Sequence, residues 1–132
     1  MLRTLFGVFI VLHGLVHLWP FALSRKLVEY EPEMGWTGRS WLFTPIMGDP
    51  ASRLLASVLY VLATAAFVAS AVGLFANVSW WRRAIVASAV FSAAVILSFW
   101  DGSPELIVEK GLAGFLIDLG IILLVLVVKW PA

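Results

Sequence analysis

Cysteine is absent from this 132-residue chain. Its absence excludes disulfide scaffolds, thiol catalysis and cysteine-held metal clusters, and leaves the redox compartment open. Charge is scarce too. Asp, Glu, Lys and Arg make up 13% of the residues, where a water-soluble domain carries about 25%. The net charge is only +1, so no basic field exists to draw a nucleic acid. Histidine occurs twice, as His13 and His17.

What is abundant is apolar. Hydrophobic residues make up 62% of the chain and the mean hydropathy is +1.01. A soluble core cannot absorb that excess at this length, so the composition is that of a polytopic membrane protein whose first partner is the lipid bilayer. A helix needs about 20 apolar residues to cross hydrocarbon about 30 Å thick. Four stretches meet this, at about 4–23, 54–76, 84–100 and 112–128. They are read as helices because a spanning helix satisfies its own backbone hydrogen bonds. Asn77 and Ser79 suit a turn, and Asp101-Gly-Ser-Pro104 is a helix stop. The expected fold is all-α: a four-helix transmembrane bundle over 1–132, one integral membrane domain, with a structured aromatic-rich loop at 24–53 lying at the interface. Arg3, the apolar run and Ala22-Leu-Ser24 have the outline of a signal peptide. The length of the run, with Gly14, two histidines and Trp19 inside it, argues for a retained span.

Orientation follows from the loops. Arg3, Arg82, Arg83 and Lys129 sit on one side in very short segments with no acid beside them. The other side has Arg25, Lys26, Arg39, Arg53 and Lys110 diluted among acids. The short basic segments place both termini in the cytoplasm of a multi-pass cell-membrane protein. Trp19, Trp36, Trp41 and Trp100 then mark the outer interface, and Trp80, Trp81 and Trp130 the inner one. Small residues recur at helical spacing: Ala65, Ala69 and Gly73; Ala84, Ser88 and Ser92; Gly111 and Gly114. Such stripes are read as packing faces where helix backbones approach.

Within the spans only His13, His17 and Asp118 ionise well below the surface. Such groups are costly in lipid and face the bundle interior with a partner. The histidines are four residues apart and share a helix face. At about 1.5 Å per residue, His17 lies roughly 7–8 Å from the outer end, Asp118 roughly 9 Å and His13 roughly 13–14 Å. A His–Asp contact between the first and fourth helices is therefore available, with Gly114 and Gly14 letting the backbones close. Three uses of it stay open. One is a hydrogen-bonded clamp that fixes helix register. Another is a proton or ligand site in the outer leaflet, with Tyr60, Thr64, Ser88, Ser92 or Ser98 supplying hydroxyls. The third is a metal or haem. His13, His17 and Asp118 would make three zinc ligands, but Gly14 stands where an H-E-x-x-H motif has its glutamate. Two histidines on one helix face cannot hold both sides of one porphyrin, so haem would need Met34, Met47 or a second subunit.

The segment "EYEPEMGWTGRSWLFTPIMGDP" is long and aromatic for a connector. Trp36, Arg39 and Trp41 make it either a lid over an outward cavity or an anchor sealing the bundle at the membrane surface. The opening "RTLFGVFIVLHGLVHLWPFALS" followed by "GWTGRSWLF" resembles short prokaryotic four-helix membrane proteins of unassigned function. In outline the chain also resembles the DoxX-like superfamily, which includes a subunit of a thiosulfate:quinone oxidoreductase. That resemblance implies a redox-associated or quinone-adjacent membrane subunit, and transfers no residue role. The expected function is a membrane-embedded binding or accessory subunit that holds a quinone or lipid at His13, His17 and Asp118. A proton-coupled small transporter working as a dimer is a second expectation, and a structural partner subunit in a homo-oligomer or larger complex a third. No nucleophile–base constellation points to an enzyme.

Overall fold

The structure, a computed structural model, describes residues 1–131. Its helices are α1 (Leu2–Leu15), α2 (Leu18–Ser24), α3 (Thr44–Met47), α4 (Asp49–Phe75), α5 (Trp81–Ser98) and α6 (Ala113–Ile122), with no strand among the described residues. A wide π turn at Leu123–Val127 extends α6, and another at Val108–Leu112 precedes it across a kink at Gly111 (φ 120°). Four helical stretches are long and apolar enough to cross a membrane: Leu2–Ser24, Asp49–Phe75, Trp81–Ser98 and Val108–Val127.

These agree with the four stretches read from sequence, with two instructive differences. The first stretch is broken at Val16 and His17 rather than continuous. Pro20 explains the break. It has no N–H for the Val16 carbonyl, and its ring crowds that oxygen. The Trp19 N–H bonds Val16 O instead, at 3.1 Å, and the His17 N–H shifts to Gly14 O at 3.2 Å. The second stretch starts earlier than read. Asp49 and Pro50 open it, the proline in a first turn that needs no N–H and the acid where the helix dipole favours it. At the far end Asn77 takes a left-handed conformation (φ 59°), while the Val78 N–H bonds Gly73 O at 3.1 Å and the Asn77 N–H bonds Leu74 O at 3.2 Å. This pair of bonds is a Schellman cap, and it reverses the chain into α5.

The helices pack in sequence order, α1 and α2 on α4, α4 on α5 and α5 on α6. Phe6 meets Trp130 edge-on at 5.3 Å, so the first helix begins where the fourth stretch ends, as an up-down bundle requires. Two apolar cores fill the interior. Phe6, Ile10, Phe67, Leu74, Ile85 and Val125 belong to one. Leu23, Trp36, Tyr60, Val95 and Phe99 belong to the other.

The small-residue stripes need correction. Ala65 and Ala69 face outward, and α4 packs through Ala56, Ala63, Phe67 and Ala71. Gly14 closes α1 onto α4 rather than onto the fourth helix, since a Cβ there would lie 2.7 Å from Phe67 Cβ. Gly111 and Gly114 face Ile96 of α5, with a Cβ at Gly111 only 2.8 Å from Ile96 Cγ2. The Ser88 and Ser92 face of α5 is buried as expected.

Candidate functional site: a buried polar layer and the crevice beside it

Between the two cores lies one polar layer. His13 and His17 come from the first stretch, Ser92 from α5 and Asp118 from α6, and each is at most 5% exposed. His13 Nε2 lies 2.7 Å from Asp118 Oδ1. Ser92 Oγ lies 2.6 Å from Asp118 Oδ2 and 2.5 Å from His17 Nε2. His17 Nδ1 lies 2.9 Å from the carbonyl oxygen of His13. The break before Pro20 prepares that last contact. Because the His17 N–H has moved to Gly14 O, the His13 carbonyl lacks its usual helical donor and the imidazole takes it. Thr64 Oγ1 donates to Gly14 O at 2.8 Å, steadying the same turn from α4. Phe67 stands edge-on to His13 at 5.0 Å and tilted against His17 at 5.5 Å, walling the layer off from one core.

Counting donors limits how protons are arranged. A carbonyl oxygen only accepts, so His17 Nδ1 carries a hydrogen. With His13 Nε2–H taken as the donor, Asp118 Oδ1 accepts. One proton then remains to be placed, and it has two positions. On His17 Nε2, it leaves an imidazolium donating to Ser92, which donates to an Asp118 carboxylate. On Asp118 Oδ2, it leaves a carboxylic acid donating to Ser92, which donates to a neutral His17. Both arrangements keep all four bonds and carry no net charge, which suits a low-dielectric interior. They differ by the net transfer of one proton through the Ser92 hydroxyl.

The same donor atoms bear on a metal. One ligand atom from each of His13, His17 and Asp118 lies within 4.8 Å of the others, compact enough for an ion. Tetrahedral zinc, with ligands at about 2.0–2.2 Å, holds them about 3.4 Å apart. His13 Nε2 and Asp118 Oδ1 stand at 2.7 Å, the spacing of a shared hydrogen. The set as arranged fits protons better than zinc.

Sequence reasoning paired the histidines with Asp118. The structure brings His13 directly to it and His17 through Ser92, which had been only one of several hydroxyls in reach. The loop residues divide. Trp36 is 3% exposed, turned into the bundle, and its Nε1–H donates to Phe99 O at 2.7 Å. Trp41 is half exposed, with Nε1–H donating to Leu97 O and N–H to Trp100 O, both at 2.7 Å. Ser40 Oγ–H donates to Ser98 O. A helix leaves its last carbonyls without internal partners, and the Trp36–Trp41 segment supplies them at the end of α5. Arg39 is exposed and away from the layer. The cation that holds the loop is Arg53, whose guanidinium reaches Thr37 O at 2.5 Å and Leu23 O at 3.3 Å and pairs with Asp49 at 2.9 Å.

A crevice of about 140 Å³ opens beside the layer. Val16, Trp19 and Pro20 form one wall, and Gly111 and Gly114 the other. His17, Tyr60 and Trp36 line its inner part, and Glu109 and Lys110 line it near the loop end. Lys110 is tied back to Asp101 at 3.0 Å and Ser103 O at 3.3 Å, a nearly buried pair that sequence alone did not mark. Comparison with protein families, curated proteins and solved structures finds no match to this chain. The DoxX-like resemblance therefore rests on topology alone.

Proposed function

We propose that the chain is an integral membrane protein that binds the head of a lipophilic molecule, of the quinone or lipid kind, in the crevice ending at His17. The four long apolar stretches support the membrane placement, with the end bearing Arg3, Arg82, Arg83 and Lys129 in the cytoplasm. One observation carries the binding reading: an apolar crevice opens beside a buried polar layer and reaches it at His17. A pocket with apolar walls and few polar groups is the usual form of a small-molecule site. Its volume is close to the roughly 150 Å³ cavity that accepts a benzene ring. The crevice admits the ring and leaves a tail in lipid.

Native mass spectrometry from mild detergent tests this against the chain's 14.5 kDa. Added mass matching a lipophile is expected, lost in Val16→Trp, which covers the mouth. A bare chain in lipid-replete preparations would remove the binding reading. The clamp reading is favoured by the complete pairing of the layer, and it predicts that bare chain.

A further inference from the structure

Nine hydroxyl-bearing side chains are buried among the described residues: Ser24, Ser40, Ser52, Ser57, Tyr60, Thr64, Ser70, Ser88 and Ser92. Every serine and the threonine has a hydrogen bond. Among the described residues Tyr60 has none, although a tyrosine hydroxyl this deep ordinarily finds a partner. The hydroxyl is also not sealed. Among the described residues the side-chain atom that is both enclosed and unpartnered is Nη1 of Arg82, at the other end of the bundle. Tyr60 is only 3% exposed and borders the crevice beside His17, so the crevice is where its remaining access lies.

The ring is fixed in place. Trp36 stands edge-on to it at 5.8 Å, with His17 at 6.1 Å and Phe99 at 6.2 Å. Trp36 is itself held by the Phe99 carbonyl. The phenol is thus pre-positioned, with a free O–H, in a pocket about the size of one aromatic ring. Both nitrogens of His17 are committed, one to His13 O and one to Ser92. Glu109 and Lys110 stand at the loop end of the crevice, so in its inner part beside His17, Tyr60 is the polar group left to meet a ligand.

We propose that Tyr60 recognises the crevice ligand, donating its hydroxyl hydrogen to a carbonyl oxygen on a ring-sized lipophilic head. This rests on the binding reading above. A carbonyl on a lipophile has two sources, a quinone ring or the ester of an acyl lipid, and a crevice close to the volume that accepts a benzene ring favours the quinone.

The test uses the full chain in lipid nanodiscs, titrated with a decyl-substituted benzoquinone and read by quenching of Trp19 and Trp36, which line the crevice. Saturable binding is expected in the natural protein. In Tyr60→Phe the Kd should rise about tenfold, the worth of one neutral hydrogen bond, with the thermal midpoint unchanged. Short-chain diacylglycerol, which has ester carbonyls and no ring, should not displace the quinone. Equal affinity in Tyr60→Phe, or a lowered midpoint, would overturn the role of Tyr60 while leaving the crevice a binding site. Full displacement by diacylglycerol would overturn the ring assignment. Absence of saturable binding in the natural protein would overturn the binding reading itself.

Discussion

Ser88 and Ser92 stand one helical turn apart on the same buried face of α5, and they do different work. Ser88 bonds Ser70 of α4 at 3.0 Å and its own helix at Ala84 O. It is an isolated polar tie between two helices in the half of the bundle filled by Ile10, Phe67 and Leu74. Ser92 joins three helical stretches, because its single hydroxyl touches both His17 and Asp118. If Ser88 is lost, Ser70 still has Ala66 O as an acceptor. If Ser92 is lost, a buried imidazole nitrogen and a carboxylate oxygen are each left without a partner. Residue type and spacing are the same at both positions, so the difference lies in what the partner loses.

Substitutions can break this contrast. Asp118→Ala should cost most, about 3 kcal/mol, because it strands His13 Nε2 in a low-dielectric interior and leaves Ser92 with His17 alone. Asp118→Asn keeps an acceptor and should cost less, with both read by reversible unfolding in mixed micelles. Ser92→Ala comes next at about 1–3 kcal/mol, the penalty of leaving buried polar atoms unpaired. Trp36→Phe should lose about 1 kcal/mol, since Phe99 O loses its indole donor while the ring volume is largely kept. Ser88→Ala should be smallest, about 0.6 kcal/mol, typical of a single interhelical bond in a membrane protein. If Ser88→Ala and Ser92→Ala cost the same, Ser92 belongs to no larger unit.

The rarity of ionisable groups in the apolar stretches made His13, His17 and Asp118 legible, and helical rise placed Asp118 at a depth between the histidines. Ser92 was not separable from Ser88, because a small polar residue in a stripe looks the same whether it meets a serine or an aspartate. The inward face of α4 was misread for a related reason. Alanines occur on every side of that helix, so small-residue spacing did not distinguish Ala65 and Ala69, which face outward, from Ala63 and Ala71, which pack inside beside Ser57, Tyr60 and Thr64. The bulk of Phe67 and Tyr60 decides which face turns in. Trp36 and Trp41 suited an interfacial belt, and a tryptophan capping a helix end has the same sequence signature. Pro20 did carry the break in the first stretch, and through it the bond between His17 and the His13 carbonyl.

Pairing of the four side chains as one unit is tested most directly by nitrogen-15 NMR of histidine-labelled protein in bilayers. His17 can be assigned by loss of its signals in His17→Asn. Both proton arrangements put a hydrogen on His17 Nδ1, bonded to the His13 carbonyl, so a protonated Nδ1 is expected whichever arrangement is populated. A bare Nδ1, with the hydrogen on Nε2 alone, would mean that His17 does not bond the His13 carbonyl and that the layer is not the unit described.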